Sequence, residues 1–597
     1  MITSSERNSL HTGDSQVISI GDFGVRPNEG MDCTPAVIAA VAACRALGRG
    51  TVLRFPEGRY DFWPHQELER EYYESNTEVV HPRRLAILFD GMDGVTLDGG
   101  GSRFVFHDRI QPITVDNCHD VTIQHLAIDW QVPMGAEAEV LAVTAEYLDL
   151  HIDPLAHPFT VENERIVLIG EGWRHVVNII HPFVPDGRYC LPHGGDGWLQ
   201  PSWIERRVEQ LADDRVRVYG AVPPVLPVGA WLVLRCGLRD HAGIFLTESS
   251  NITIHDVRLH HCAGLGILAQ YCENLDFNGY RAEPAPERHV LCGHDDGLQV
   301  SNCRGRVRVS NCLFRGLMDD PINVHGTSVA IIDRSADGTQ LRCRFMHRQA
   351  VGLPWGHVGD VVAVVAPESL QRLDQGTVSR FDVHDAYEFT VTCAEGWPET
   401  AKPGNALENL TWAPEVEIRD SVFLGCRARG ILVTTPCSTR ITNNRFASSG
   451  SAILISGDAW QWYESGGVQD VLIDGNTFEE PCLQSHYQFC EGIISIYPHI
   501  EHPDADAPAH RNIRIEGNTF CPTGQPLLYA CSVSQLTFAN NTVTPSAAYD
   551  ALLNPNHEAI TLQACRNVSV HDNQVLTPTD EVPSLAMYRD TLRNATI

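Results

Sequence analysis

Two acidic pairs lie close together in this chain: Asp295 and Asp296 in GHDDGLQVSNC, and Asp319 and Asp320 in GLMDDPINVHG. Paired carboxylates do general acid and base work when their surroundings push their proton affinities apart. The step from Asp296 to Asp319 is 23 residues, and each pair adjoins a short run of alternating apolar residues. That pattern reads as one turn of a repeating unit, with both pairs at a similar angular position. Neighbouring parallel strands lie roughly 4.8 Å apart, so up to four carboxylates would gather on one face. Such a cluster costs electrostatic energy unless a proton, a metal or a cationic transition state compensates it. A single Asp needs no such explanation, because its side chain bonds turn backbone well. Two consecutive pairs one unit apart point to chemistry. Asn323 and His325, in the NVHG that follows, add polar groups at the same level, although a lone histidine is more often structural.

A second concentration is SGDAWQWYESGG, residues 456–467. Trp460 and Trp462 offer rings, and Asp458 and Glu464 offer carboxylates. Sugars suit that mixture, since their C–H faces pack on rings and their hydroxyls bond to acids. With Asp295, Asn323 and His325, these four are the candidate substrate-binding residues. The bland alternative is that the tryptophans only close a turn of the fold. YDFWP and YYESNT, residues 60–64 and 72–77, form a third aromatic patch that covers a groove on the same bland reading.

The elements that must position these residues repeat along the chain. A short phrase returns: Asn, Asp or Ser, a few alternating residues, then Asn or Asp again. DGVTLDG, DVTIQHLAI, NITIHDVRL, DVLIDGNTF, NIRIEGNTF and NVSVHDNQV are examples. Each unit reads as two short strands around a tight turn, too small to bury a core alone. Stacking them in register gives an all-β parallel β-helix, a solenoid in which each coil covers the last. The L-x-x-L-x-L frame of leucine-rich repeats is absent. Residues 32–48, DCTPAVIAAVAACRALG, supply an N-terminal helical cap, with Thr34 as expected N-cap, Pro35 in the first turn and Gly48 as stop. Two stretches with longer alternating strands break the repeat and read as small antiparallel β-domains. The expected organisation is a cap and first coils at 1–134, inserts at 135–240 and 327–412, acid-bearing coils at 241–326, and C-terminal coils at 413–597.

The formal charge of −31 over 597 residues argues against nucleic acid and anionic membrane partners, which need basic patches. No apolar run approaches the roughly 20 residues of a membrane helix. The opening MITSSERNSLHTGDSQ lacks the basic start and apolar core of a signal peptide, and 19 cysteines without a C-x-x-C pair read as buried reduced thiols. The expected location is therefore cytoplasmic. Oligomeric state is not encoded in any of these features. No nucleophile elbow, P-loop or G-x-G-x-x-G after a strand is present, which leaves carboxylate chemistry on a carbohydrate. No basic residue adjoins either acidic pair in sequence, and neither a metal nor a cofactor is expected.

GDFGVRPNEGMDCTPAVIAAV, RFPEGRYDFWP, IDW, MDDPINVHG and SGDAWQWYESG together resemble the bacterial α-1,3-galactosidases of glycoside hydrolase family 110, over nearly the whole chain. The resemblance implies a right-handed parallel β-helix with two inserted β-barrel domains. It also implies an exo-acting enzyme that removes terminal α-1,3-linked galactose, as in blood group B structures, with inversion. Its three acids fall on Asp296, Asp319 and Asp320, the 23-residue spacing favouring Asp296 over Asp295. The rivals are a β-helix hydrolase or Ca²⁺-dependent lyase acting on a pectin-like polymer, and a non-catalytic carbohydrate-binding solenoid.

Overall fold

A computed structural model describes residues 16–223, 225–485, 487–548, 558–576 and 585–596. Its spine is a parallel β-helix. One face is a 13-stranded sheet and the other a 23-stranded sheet, and successive coils add one rung to each. The site depends on six consecutive rungs of the smaller sheet. They are β1 (Ile267–Gln270), β2 (Leu298–Ser301), β3 (Ile322–His325), β4 (Ile431–Val433), β5 (Ile453–Ile455) and β6 (Ile494–Ile496). Each rung sends its apolar residues inward, so that Leu298, Ile322, Ile431, Ile453 and Ile494 stack in one buried column.

Short strands hold register here because identical positions repeat rung after rung. Phe314, Phe423, Phe446, Phe478 and Phe520 stack ring on ring, with centroids 4.6–5.3 Å apart. Asn444, Asn476, Asn518, Asn541 and Asn573 form a ladder in which the side-chain oxygen of each of the last four accepts from the backbone N–H of the preceding rung's asparagine at 2.9–3.0 Å. The turn-building role of such residues is real for these asparagines.

The cap is a helix, α1 (Thr34–Leu47), which ends at Gly48 with φ +80°. Its start differs from expectation. Cys33 occupies the N-cap position, and the first-turn amide of Thr34 is satisfied by Asp32 Oδ1 at 2.9 Å. The carboxylate one position further out wins because it reaches the exposed N–H groups and suits the helix dipole.

Both inserts are antiparallel. The first runs from Gly135 to Arg235 as a six-stranded and a three-stranded sheet around its own core. The second runs from Val329 to Asn409 as one seven-stranded sheet around another. In sequence they lie on either side of the acidic pairs, and each sends side chains to the cleft around them, Arg235 from the first and Arg348 and Gln349 from the second.

Candidate active site

The acidic pairs sit just before β2 and β3, in the corner where each coil enters the smaller sheet. Gly297 makes that corner possible: a Cβ there would lie 2.6 Å from Leu317 Cδ1 and 2.9 Å from the Pro321 carbonyl oxygen. The rungs pair in parallel with Leu298 opposite Ile322, and Gly297 N–H donates to the Asp320 carbonyl at 2.9 Å. The register step is therefore 24 residues, not 23. Asp296 lies level with Asp320, and Asp295 with Asp319. On the next rung Ile431 lies opposite Ile322, which brings Arg429 level with Asp320.

All four carboxylates are buried, yet their partners differ sharply. Asp295 is held by Arg235 Nη1 at 3.1 Å, Arg239 Nε at 3.3 Å and His294 Nδ1 at 2.8 Å. These cations outweigh burial and hold its carboxyl well below the usual range, while Asp295 in turn lifts His294 to about 9 against its own burial. Asp295 is thus committed to protein contacts. Asp319 accepts from Arg239 Nη2 at 2.5 Å and from the Tyr487 hydroxyl at 3.0 Å. Burial pulls its proton affinity up, but Arg239, Arg427 and Arg429 bring it below the ordinary value. Asp320 takes a forked pair from Arg429, with Nε to Oδ1 at 2.8 Å and Nη2 to Oδ2 at 2.7 Å, plus the Arg429 amide at 3.1 Å. Burial and Asp319 raise it against that fork.

Asp296 is the exception. Among the described residues, nothing donates a hydrogen bond to its carboxyl and no cation pairs with it. Burial, then the Asp319 charge, push its proton affinity well above the usual value, with Arg239 opposing. The two carboxyls are thereby pushed in opposite directions, Asp296 toward holding its proton and Asp319 toward giving it up, which is the arrangement that acid–base catalysis at one centre needs.

These groups line a cleft of about 310 Å³, at the small end of ligand-pocket sizes. Its walls come from every part of the fold. Asn76 arrives from the N-terminal segment, Arg235 and Arg239 from the return of the first insert, Arg348 and Gln349 from the second, and Tyr487 and His499 from later coils. Of the predicted contacts, Asp295, Asn323, Asp458, Trp462 and Glu464 border the cleft. Asn323 Oδ1 is buried without a partner among the described residues. Glu464 accepts from Asn76 Nδ2 at 2.7 Å.

Two predicted contacts are engaged within the protein, and a third lies outside the cleft lining. Both ring nitrogens of His325 are engaged, Nε2 with Gln299 at 3.0 Å and Nδ1 with the Gly326 carbonyl at 3.0 Å, and the ring lies outside the cleft lining. The Asp458 carboxylate, although it borders the cleft, binds the backbone amides of Trp460, Gln461, Trp462 and Tyr463 and so shapes their loop. Trp460 is absent from the lining and is 58% exposed.

The expectation that no basic residue adjoins the acids fails in three dimensions. Arg235, Arg239, Arg427 and Arg429 surround them, each from a segment distant in sequence. A signal existed: once RARGI, residues 427–431, is aligned with MDDPI, residues 318–322, the Asp320–Arg429 pair follows. The aromatic segment before residue 77 does cover the groove, with Gln270 Oε1 accepting from the Ser75 amide at 3.0 Å, but it also delivers Asn76 to the cleft. Two other clusters of possible metal-binding type, His125–His255–Asp256 and Asp93–His119–Asp120, contribute nothing to this cleft.

Two family models match the inserts: GLAA-B beta-barrel domain I over residues 136–232 and GLAA-B beta-barrel domain II over residues 340–407. The chain is 41% identical to alpha-1,3-galactosidase B of Bacteroides thetaiotaomicron, covering 94% of this chain and 91% of that one. It is 34% identical to alpha-1,3-galactosidase A of Bacteroides fragilis, covering 98% and 97%. Among solved structures, the catalytic domain of Agl-KA matches with a TM-score of 0.43 at 12% identity over 98% of this chain and 69% of that one. An exopolygalacturonase of Yersinia enterocolitica matches with a TM-score of 0.37 at 12% identity over 98% and 78%.

Proposed function

The chain belongs to the family of bacterial α-1,3-galactosidases, and on that premise we propose that it hydrolyses terminal α-1,3-linked galactose from oligosaccharides, by inversion. It is a glycoside hydrolase. The observation that carries the mechanism is the split between Asp296 and Asp319, two buried carboxyls on hydrogen-bonded rungs with opposite displacements. Asp296 holds the proton that the departing glycosidic oxygen takes up. Asp319, ionised at neutral pH, accepts the proton of the attacking water.

Asp319 is the better base of its pair. A carboxylate offers about four acceptor positions, and Asp319 commits two of them, to Arg239 and Tyr487. Asp320 commits its oxygens to the Arg429 fork and amide, so its part is to hold the corner and that guanidinium in place. Arg239 bridges Asp295 and Asp319. Asp295 therefore acts through Arg239 as a positioning residue. No step requires a metal, because hydrolysis by paired carboxylates is chemically complete without one. The cleft's size and its walls on several sides favour removal of a single terminal sugar.

The test is proton NMR of the first sugar released from an α-1,3-galactosyl disaccharide. β-Galactose is expected as the initial product. Initial α-galactose would refute inversion, and no galactose at all would refute the activity. Full activity after exhaustive chelation is expected too, and loss on chelation with recovery on Ca²⁺ would overturn the metal-free mechanism.

A further inference from the structure

We propose that Trp460 is the platform of a second sugar subsite, outside the cleft, that takes the reducing-side sugars of the glycan. This rests on reading the cleft as the site of the terminal galactose. Among the chain's 11 tryptophans, Trp460 alone is exposed, at 58%. It stacks on no ring and lies under no guanidinium among the described residues. Exposed apolar surface that fills no core is informative when something holds it in place.

Trp460 is held in place. Asp458 binds the amides of residues 460 to 463, and Tyr463 accepts from the Ser328 amide at 2.8 Å. Ser465 Oγ accepts from Gly326 N–H at 2.9 Å, and Glu464 is tied to Asn76. The loop is therefore fastened to the β-helix and to the N-terminal segment, and the indole needs little further ordering to meet a ligand.

Its place follows from connectivity. Asp458 and Trp462 both border the cleft, and each is two residues away, so the Trp460 Cα lies within about 7 Å of each of theirs. Its backbone therefore runs beside the cleft lining, while its exposed ring is not part of that lining. With the terminal galactose in the cleft, the remaining sugars of a longer substrate run on from it past the lining segments. An exposed indole on a fastened loop next to the cleft lining presents the flat apolar face on which sugar C–H faces pack.

The experiment compares kcat/KM on p-nitrophenyl α-galactoside with kcat/KM on a tetrasaccharide ending in α-1,3-galactose. Trp460→Ala should lower the tetrasaccharide value about tenfold relative to the aryl value, chiefly through KM. Trp460→Phe, which keeps a ring, should restore most of the difference. Equal losses on the two substrates, or no loss on either, overturn the proposal. The same comparison can be made without turnover, in Asp296→Asn protein titrated with the tetrasaccharide and with galactose. Weakened tetrasaccharide binding alone supports the subsite, and unaltered tetrasaccharide binding overturns it. Failure of the galactosidase reading would show elsewhere, as an absence of galactose release by the parent protein.

Discussion

At the residue scale, the chemistry comes down to which carboxyl keeps its proton. Asp296 gives the basic limb of a bell-shaped pH profile, since activity falls as it ionises, and Asp319 gives the acidic limb, since activity falls as it protonates. Arg239 is the nearest cation to Asp319 and the first to lower its proton affinity. Arg239→Gln should therefore raise the proton affinity of Asp319 and move the acidic limb of kcat/KM to higher pH. An unmoved acidic limb would show that Asp319 is not the group that titrates there. Asp296→Asn should slow oligosaccharides by about 10²–10⁴-fold while sparing activated aryl galactosides, whose leaving groups need no proton. Steady-state rates on the two substrate classes check this. Asp319→Asn should slow both classes alike, because the water is needed whatever leaves.

At the element scale, adjacent rungs turn sequence spacing into side-chain contact. Asp320 and Arg429 face each other only because β3 and β4 pair, with a whole domain between them in sequence. Removing one member of a buried ion pair leaves the other charge uncompensated, at a cost of roughly 3–5 kcal/mol. Asp320→Ala should thus lower the thermal midpoint markedly. Asp319→Ala should do less, since Arg239 keeps Asp295 as a partner. The rung repeat, the helical cap, the inserts and the acid pairs were all legible in the sequence, because each is a local pattern with a period or a composition. The arginines were not, because they reach the acids across insert boundaries, and only an alignment of coil on coil exposes them. The true step of 24 escaped a count from acid to acid because register is set by the inward isoleucines and leucines. His325 and Asp458 looked like ligands by type, yet each spends its polar atoms on neighbouring backbone or amide groups.

At the scale of the whole molecule, the cleft exists only where the β-helix, both inserts and the N-terminal segment meet. No disulfide holds them together: the 19 cysteines are unpaired, and most are buried. A strong reductant should accordingly leave the thermal midpoint and the activity unchanged, and a downward shift of the midpoint would contradict that accounting. The route of the second insert has a further consequence. It leaves after β3 and the chain rejoins the larger sheet at Glu415–Arg419, while the insert's own first and last strands pair, Val329 opposite Leu407, so its two ends lie about one strand spacing apart, near 4.8 Å. A segment whose ends coincide can be spliced in or out without disturbing what lies on either side. If a short turn replaced that insert, the isoleucine column and the Asp320–Arg429 contact should survive, while Arg348, Gln349 and the His347 ring that packs on Trp462 would be gone. The β-helix then serves as a constant reading frame and the insert as an exchangeable clause, so that ancestry can rewrite the mouth of the cleft without touching the acids at its floor.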